Sequence, residues 1–208
     1  MKNIISILLV LVIIFSMIGC DNKKRQEEIK QARLEYIDKV ESYNEAVLDA
    51  ESAIDECIEL LVDVWYGSIF GSDKANIEYT GAIVRYFEVR KKERGLEFDF
   101  NDTINYLLYD NDYYPMIQEE AESKADKLTD LLKDIKELPE ESEDLQVLYD
   151  LSRENYDLTT EYVKSVSNPQ GSYETFSADT KELSGQIIRN YDKIKTEISL
   201  LSDEDSTE

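Results

Sequence analysis

The side chains of this chain that could do chemistry are carboxylates, lysines, arginines, tyrosines and two cysteines. The 208 residues include 46 Asp and Glu, 23 Lys and Arg and 14 Tyr, but no His. The lack of His excludes Ser-His-Asp and Cys-His catalytic sites, HExxH zinc sites and the Glu-x-x-His pairs of di-iron bundles. Carboxylate pairs such as Glu119 and Glu122 share a helix face, but a chain this acidic contains many such pairs by chance. A mechanism that uses carboxylates alone stays open, yet we predict no enzyme, no catalytic residue, no cofactor and no metal site.

Cys20 is the cysteine with informative neighbours, because it closes an apolar run at residues 4–18. Fifteen helical residues rise about 22 Å, which is short for a membrane-spanning helix and typical of a signal-peptide core. The run leads into Met17-Ile18-Gly19-Cys20. A bacterial lipoprotein signal peptide has, at these places, an apolar residue, a variable residue, a small residue and Cys. The first 20 residues therefore resemble a bacterial lipoprotein signal peptide.

The resemblance implies that residues 1–19 are a signal peptide and that Cys20 is the lipid-attachment residue, carrying diacylglycerol after cleavage. Two acyl chains, such as palmitate, suffice for stable anchoring. Residues 20–25 would then form the lipid anchor and a basic tether, with Lys23, Lys24 and Arg25 at the headgroups. The protein would lie on the extracytoplasmic face of the cell membrane. An uncleaved signal anchor is the alternative, because positive charges flank the apolar run on both sides and leave its orientation undecided.

The charge balance limits the class of partner. Cleavage before Cys20 removes one Lys and no acid, which leaves 22 Lys and Arg against 46 Asp and Glu, a net charge of −24. Affinity for nucleic acid comes mainly from cations on phosphates, so we expect no nucleic-acid partner. Cationic partners fit this charge better. With Cys20 used by the lipid, Cys57 has no disulfide partner, and its apolar surroundings predict a buried, unreactive thiol.

Hydrophobic spacing predicts a helical body over residues 26–201. Residues 26–66 read as one long coiled-coil-like helix, because nine residues step alternately by four and three: Tyr36, Val40, Tyr43, Val47, Ala50, Ile54, Cys57, Leu61 and Val64. We refer to these nine residues as the α1 seam. Further helices are predicted over about 73–94, 102–138 with a break at 110–114, 140–167 and 173–201. The sequence also predicts an extended stretch at 96–101, a turn at 168–172 and an acidic disordered tail at 202–208.

This pattern predicts an all-α fold, an antiparallel four- to five-helix bundle with short connections and a long first helix. The α1 seam could pair within the chain or with a second copy, so a homodimer stays open. In composition alone, the body resembles uncharacterised helical-bundle lipoproteins of low-GC Gram-positive bacteria.

Aromatic residues cluster between Trp65 and Tyr114, a window that also holds the basic patch Arg90, Lys91, Lys92 and Arg94. Tyr and Trp combine apolar area with a hydrogen-bonding group, which suits binding surfaces. The candidate partner-binding residues are Trp65, Tyr66, Phe70, Tyr86, Phe98, Phe100, Tyr109, Tyr113 and Tyr114. The alternative is that the aromatics fill a core and that the basic residues offset a helix dipole.

The sequence therefore predicts a membrane-tethered extracytoplasmic lipoprotein that acts as a non-enzymatic interaction module of the cell envelope, with a protein partner there. A small-ligand, glycan or cation-binding lipoprotein is the alternative.

Overall fold

The computed structural model describes the backbone of residues 2–70 and 113–207 and the side chains of residues 23–66 and 113–202. This part of the chain contains four α-helices and no strand. The helices are α1 (Lys2–Phe70), α2 (Tyr113–Asp134), α3 (Gln146–Ser167) and α4 (Tyr173–Thr207), with a 3-10 turn at Glu143–Leu145 before α3. The predicted all-α fold and long first helix are confirmed. The elements predicted at 73–94 and 96–101, and the part of the 102–138 region that precedes the break, lie outside the described residues.

Several helix ends differ from the sequence prediction. Helix α1 extends from Lys2 to Phe70, beyond the predicted 26–66, and α3 begins at Gln146 although its start was predicted at residue 140. Helix α2 ends at Asp134, before the predicted end at about residue 138, and Lys136 N–H closes a turn on the Lys133 carbonyl. Helix α4 continues to Thr207, so the backbone of the predicted disordered tail is helical as far as that residue. No Gly or Pro follows Leu201 to stop the helix.

The turn predicted at 168–172 is confirmed and joins α3 to α4. Gly171 has a φ of +93°, a left-handed conformation that glycine adopts without steric cost. Ser172 is the N-cap residue of α4, because its Oγ accepts a hydrogen bond from the backbone N–H of Thr175 at 3.2 Å. A side-chain acceptor at this place satisfies one of the free N–H groups of the first helical turn.

Contacts along α1 and α2 establish that these helices are antiparallel. The Tyr36 hydroxyl donates to the carbonyl of Ile135 just after the end of α2, whereas Tyr113, at the start of α2, donates to Glu56. Lys124 bonds Asp49 between these two contacts.

Helix α3 runs parallel to α1, and α4 runs back again. Arg33 pairs with Asp144 just before α3, and Asp55 accepts from Tyr162 near its end. On α4 the order reverses, because Ser184 bonds Glu51 and Tyr191 bonds Glu45. The described helices therefore form an up-down-up-down bundle in which α1 and α3 also touch each other.

The α1 seam lies at the centre of this bundle. All nine seam residues are buried within one chain, at 4% exposure or less, and α1 contacts α2, α3 and α4. The heptad pattern is thus satisfied by helices of the same chain. Full burial of a large aliphatic side chain contributes about 1.5–3 kcal/mol relative to leaving it exposed.

Two buried tyrosines also complete the ends of neighbouring helices. Tyr36 donates to the Ile135 carbonyl at 3.0 Å and Tyr114 donates to the Val166 carbonyl at 2.7 Å. These carbonyls lie at the C-terminal ends of α2 and α3, where helix carbonyls lack an intrahelical partner. The hydroxyls therefore satisfy groups that burial would otherwise leave unpaired.

Candidate functional site

The structure places part of the predicted aromatic surface in the core. Trp65 is 5% exposed and Tyr114 is fully buried. The Trp65 ring lies 5.4 Å from the ring of Phe176 and 6.5 Å from that of Tyr173, centroid to centroid. Trp65 and Tyr114 thus match the alternative that these aromatics fill the core, and neither is open to a partner in this arrangement.

Tyr66 and Tyr113 are half-buried and lie at the same end of the bundle. The Tyr66 ring packs against Tyr173, with 5.9 Å between the centroids, and the Tyr113 hydroxyl donates to Glu56. The other candidates lie outside the described side chains: Phe70, Tyr86, Phe98, Phe100 and Tyr109, together with the basic patch Arg90, Lys91, Lys92 and Arg94.

Cys57 is buried and free, as the sequence predicted. Burial raises the pKa of its thiol to about 12, and the nearby charges of Glu56, Glu122 and Glu120 add to the rise. The thiolate is the reactive form of cysteine. Cys57 therefore stays protonated at neutral pH and serves as a small apolar residue of the seam.

A groove of about 590 Å³ lies between the end of α3 and the start of α4. Its floor includes the buried side chains of Phe176 and Thr180, and its rim carries the charged groups of Glu161, Lys164 and Asp179. Among the ten residues that line it, Phe176 and Leu183 are apolar and the other eight are polar or charged, so the groove is more polar than most small-molecule sites. We refer to this groove as the α3–α4 groove.

The outer side of α2 carries a second, acidic concavity of about 440 Å³. It is lined by Glu119, Glu122, Ser123, Asp126, Lys127 and Asp130. Within the described residues, no group of three or more His, Cys, Asp or Glu side chains is arranged to hold a metal ion. The acidic concavity therefore has the charge for cationic partners without the geometry of a metal centre.

The least expected feature is a polar stripe in the interior. The described residues bury Asn44 and Glu51 on α1, and five further polar side chains lie on α3 and α4: Ser152, Asn155, Thr159, Thr180 and Asn190. The buried residues of α2 are Tyr114, Ile117, Ala121 and Leu128. The buried residues of α2 thus lack the amides, carboxylates and small hydroxyl side chains of the stripe, whereas α3 and α4 bury polar side chains among apolar ones such as Ile187 and Ile194.

The sequence carried a signal for this stripe that a search for apolar residues misses. On α3 the buried positions step alternately by four and three: Leu148, Ser152, Asn155, Thr159, Tyr162 and Val166. The three consecutive members Ser152, Asn155 and Thr159 are small polar residues. Heptad spacing alone would have placed Ser152, Asn155 and Thr159 inside.

Glu51 is the buried acid of the stripe, at 7% exposure. Burial raises the pKa of the Glu51 carboxyl above its ordinary value. The hydrogen bond that Ser184 donates at 2.7 Å lowers the pKa in part, and the nearby charge of Asp55 raises it further. Asp55 in turn accepts the Tyr162 hydroxyl at 2.9 Å. The folded state therefore holds the Glu51 proton more tightly than the unfolded chain does.

We expect Glu51→Gln to stabilise the bundle at neutral pH. Because the pKa of Glu51 is higher in the folded state than in the unfolded chain, its carboxyl contributes to the free energy of unfolding at low pH. That contribution is lost as the pH rises from the ordinary Glu value of 4.5 through the folded-state pKa. Gln keeps an acceptor for Ser184 and does not ionise. The difference between variant and parent, measured by urea unfolding from pH 4 to pH 8, should grow with pH. A constant difference would contradict a buried, titrating Glu51.

The predicted basic tether contacts acidic groups of the body. Arg25 lies 2.9 Å from Glu141 and 3.5 Å from Glu140, and Lys24 lies 3.5 Å from Glu28. These pairs are exposed, so each contributes little to stability.

Arg33, further along α1, makes a stronger contact. It binds Asp144 through two hydrogen bonds of 2.7 Å and lowers the pKa of that carboxyl. This bidentate pair fixes the turn before α3 against the first part of α1.

Comparison with family models, with curated proteins and with solved structures finds no match for this chain. In the part of the chain that the structure describes, no helix is long and apolar enough to cross a membrane. The apolar run at residues 4–18 lies outside the described side chains.

Proposed function

We propose that the protein is a membrane-tethered extracytoplasmic lipoprotein whose helical body is a non-enzymatic interaction module of the cell envelope. The observation that carries this proposal is the sequence Met17-Ile18-Gly19-Cys20 after an apolar run of signal-peptide length.

The layout of α1 supports a tethering role. Side chains from Lys23 to Glu35 are exposed or half-buried, and Tyr36 is the first buried residue of the bundle. Tyr36 is the sixteenth residue after Cys20, so a helix from one to the other would rise about 24 Å. Helix α1 would then serve both as the spacer from the lipid and as the central helix of the body.

The charge of the body favours a cationic partner. The chain after cleavage carries a net charge of −24, and the outer face of α2 presents four carboxylates along one concavity. Such a surface repels anionic membranes and attracts positively charged proteins. The rate at which these proteins associate with it falls as the ionic strength rises. Crosslinking in whole cells, followed by capture of the protein, should return a basic envelope protein, and recovery of no specific protein would contradict the interaction role.

Lipid attachment can be tested by labelling whole cells with a palmitate analogue. We expect label on the parent and on Cys57→Ala, which removes the other thiol, but none on Cys20→Ala. Globomycin, which blocks the lipoprotein signal peptidase, should cause the unprocessed precursor of the parent to accumulate. Label on Cys20→Ala, or normal maturation in globomycin, would contradict the proposal, and a parent chain that is neither labelled nor shortened would favour an uncleaved signal anchor.

A small-ligand or glycan-binding role is the second candidate, favoured by the α3–α4 groove. Titration calorimetry of the body with glycans, calcium and zinc would detect binding. If the groove is the site, Ser165→Trp, which fills it, should abolish the heat, whereas Ser123→Trp on the face of α2 should leave it unchanged. Absence of heat with the parent protein would remove this candidate.

A further inference from the structure

Four buried polar side chains lie at a similar level on α1, α3 and α4. The Tyr43 hydroxyl donates to the Ser152 carbonyl at 2.9 Å, and the neighbouring Asn44 donates through Nδ2 to the Tyr191 carbonyl at 3.1 Å. These contacts place Ser152 of α3 and Asn190 of α4 at the level of Asn44. Asn155 lies three residues after Ser152, on the same face of α3.

Five side-chain atoms of this group have no hydrogen-bond partner among the described residues: Asn44 Oδ1, Ser152 Oγ, Asn155 Oδ1, Asn155 Nδ2 and Asn190 Nδ2. The four residues are at most 2% exposed, so bulk solvent does not reach them. Buried polar groups in folded proteins nearly always have a partner, because burying one without a hydrogen bond is costly. The five atoms therefore need hydrogen-bond partners that the described residues do not provide.

The chemistry of these atoms selects the ligand. Two are acceptors, two are amide donors, and the Ser152 hydroxyl can be either. A metal ion needs acceptors alone and an anion needs donors alone, whereas a water molecule donates twice and accepts twice. None of the five atoms carries a charge. Internal water typically makes about three hydrogen bonds, so five atoms suit about two molecules.

We propose that Asn44, Ser152, Asn155 and Asn190 form an internal site that binds ordered water between α1, α3 and α4. The water joins the three helices through hydrogen bonds to the five side-chain atoms that no described protein group bonds. This inference is independent of lipid attachment and of the interaction role.

Water bound at this site has a residence time far longer than surface water, which magnetic resonance detects. We would label the asparagines of the full chain with ¹⁵N, place it in detergent micelles, and record cross-relaxation between side-chain amide protons and water. The Nδ2 protons of Asn155 and Asn190 should show cross-peaks to long-lived water. Asn168, exposed in the turn between α3 and α4, is the control and should show none.

The competing arrangement is direct pairing of the amides after rotation of their side chains. Cross-peaks between Asn44, Asn155 and Asn190 side chains, without a long-lived water signal, would overturn the proposal. As a second measurement, Asn155→Leu should abolish the water cross-peak of Asn190, and Asn168→Leu should leave it unchanged. Retention of that cross-peak in Asn155→Leu would contradict a shared site. If Asn155→Leu fails to fold, the measurement on the parent chain still decides.

Discussion

Replacing Ile54 by alanine is expected to destabilise the bundle by about 2–5 kcal/mol, and replacing it by valine by about 0.5–1.5 kcal/mol. Ile54 has no exposed surface and lies in the middle of the α1 seam. Truncation removes buried apolar surface and leaves a cavity that the packed helices around it close only in part. Urea unfolding of the chain from Asp21 onward, followed by circular dichroism, would give the free energies.

The matched control for Ile54 is Leu200→Ala on the outside of α4. Leu200 is 55% exposed, so its truncation should change the free energy of unfolding by no more than about 0.5 kcal/mol. The diagnostic result is that the free energy of unfolding decreases from the parent to Ile54→Val and again to Ile54→Ala. If Ile54→Ala were as stable as Leu200→Ala, the seam would not be the core of the bundle.

Replacing Tyr114 by phenylalanine is expected to cost about 1–3 kcal/mol, because the Val166 carbonyl then loses its buried donor. Tyr114 has no exposed surface, and its hydroxyl lies 2.7 Å from that carbonyl. Burial raises the pKa of the hydroxyl above its ordinary value, so it stays protonated and remains a donor in mildly alkaline solution. The free energy of unfolding, measured at pH 7 and pH 9, should fall by the same amount at both.

Tyr113→Phe, one residue away, is the control for Tyr114. Its hydroxyl donates to an exposed carboxylate of Glu56 at 2.9 Å. Water can replace that donor, so the loss should be about 1 kcal/mol or less. Equal losses for the two variants would contradict the view that Tyr114 completes the buried end of α3.

The helices differ in the kind of side chain that they bury. Helix α2 buries Tyr114 and aliphatic side chains, whereas α3 and α4 bury polar side chains such as Asn155 and Asn190 among apolar ones. Apolar contacts stabilise the fold whatever their orientation, whereas buried polar groups need hydrogen-bond partners in specific positions. The Glu51 and Asn155 experiments both test the buried polar side chains, one through a charge and the other through hydrogen bonds.

Much of the fold could be predicted from the sequence. The alternation of four and three from Tyr36 to Val64 requires a helix, because only a helix brings those positions to one face. The turn at 168–172 follows from Pro169 and Gly171. Helix ends were less accurate, since nothing after Leu201 marks a stop.

The candidate site was less accessible to sequence reasoning. Trp65 and Tyr114 read equally well as core or as surface, because an aromatic residue suits both. Their burial depends on Phe176 and Val166, which lie 111 and 52 residues away in the sequence. Local spacing carries no information about such partners.

By itself, the sequence determined the helical body, the central first helix, the acidic surface and the lipoprotein-like signal at Met17–Cys20, because these depend on composition and on local spacing. Only the tertiary structure decided that the α1 seam is filled by the same chain, that Trp65 and Tyr114 are core residues, and that a polar stripe lies between α1, α3 and α4. Each of these depends on which distant residues meet, and that is decided by how the helices pack against one another.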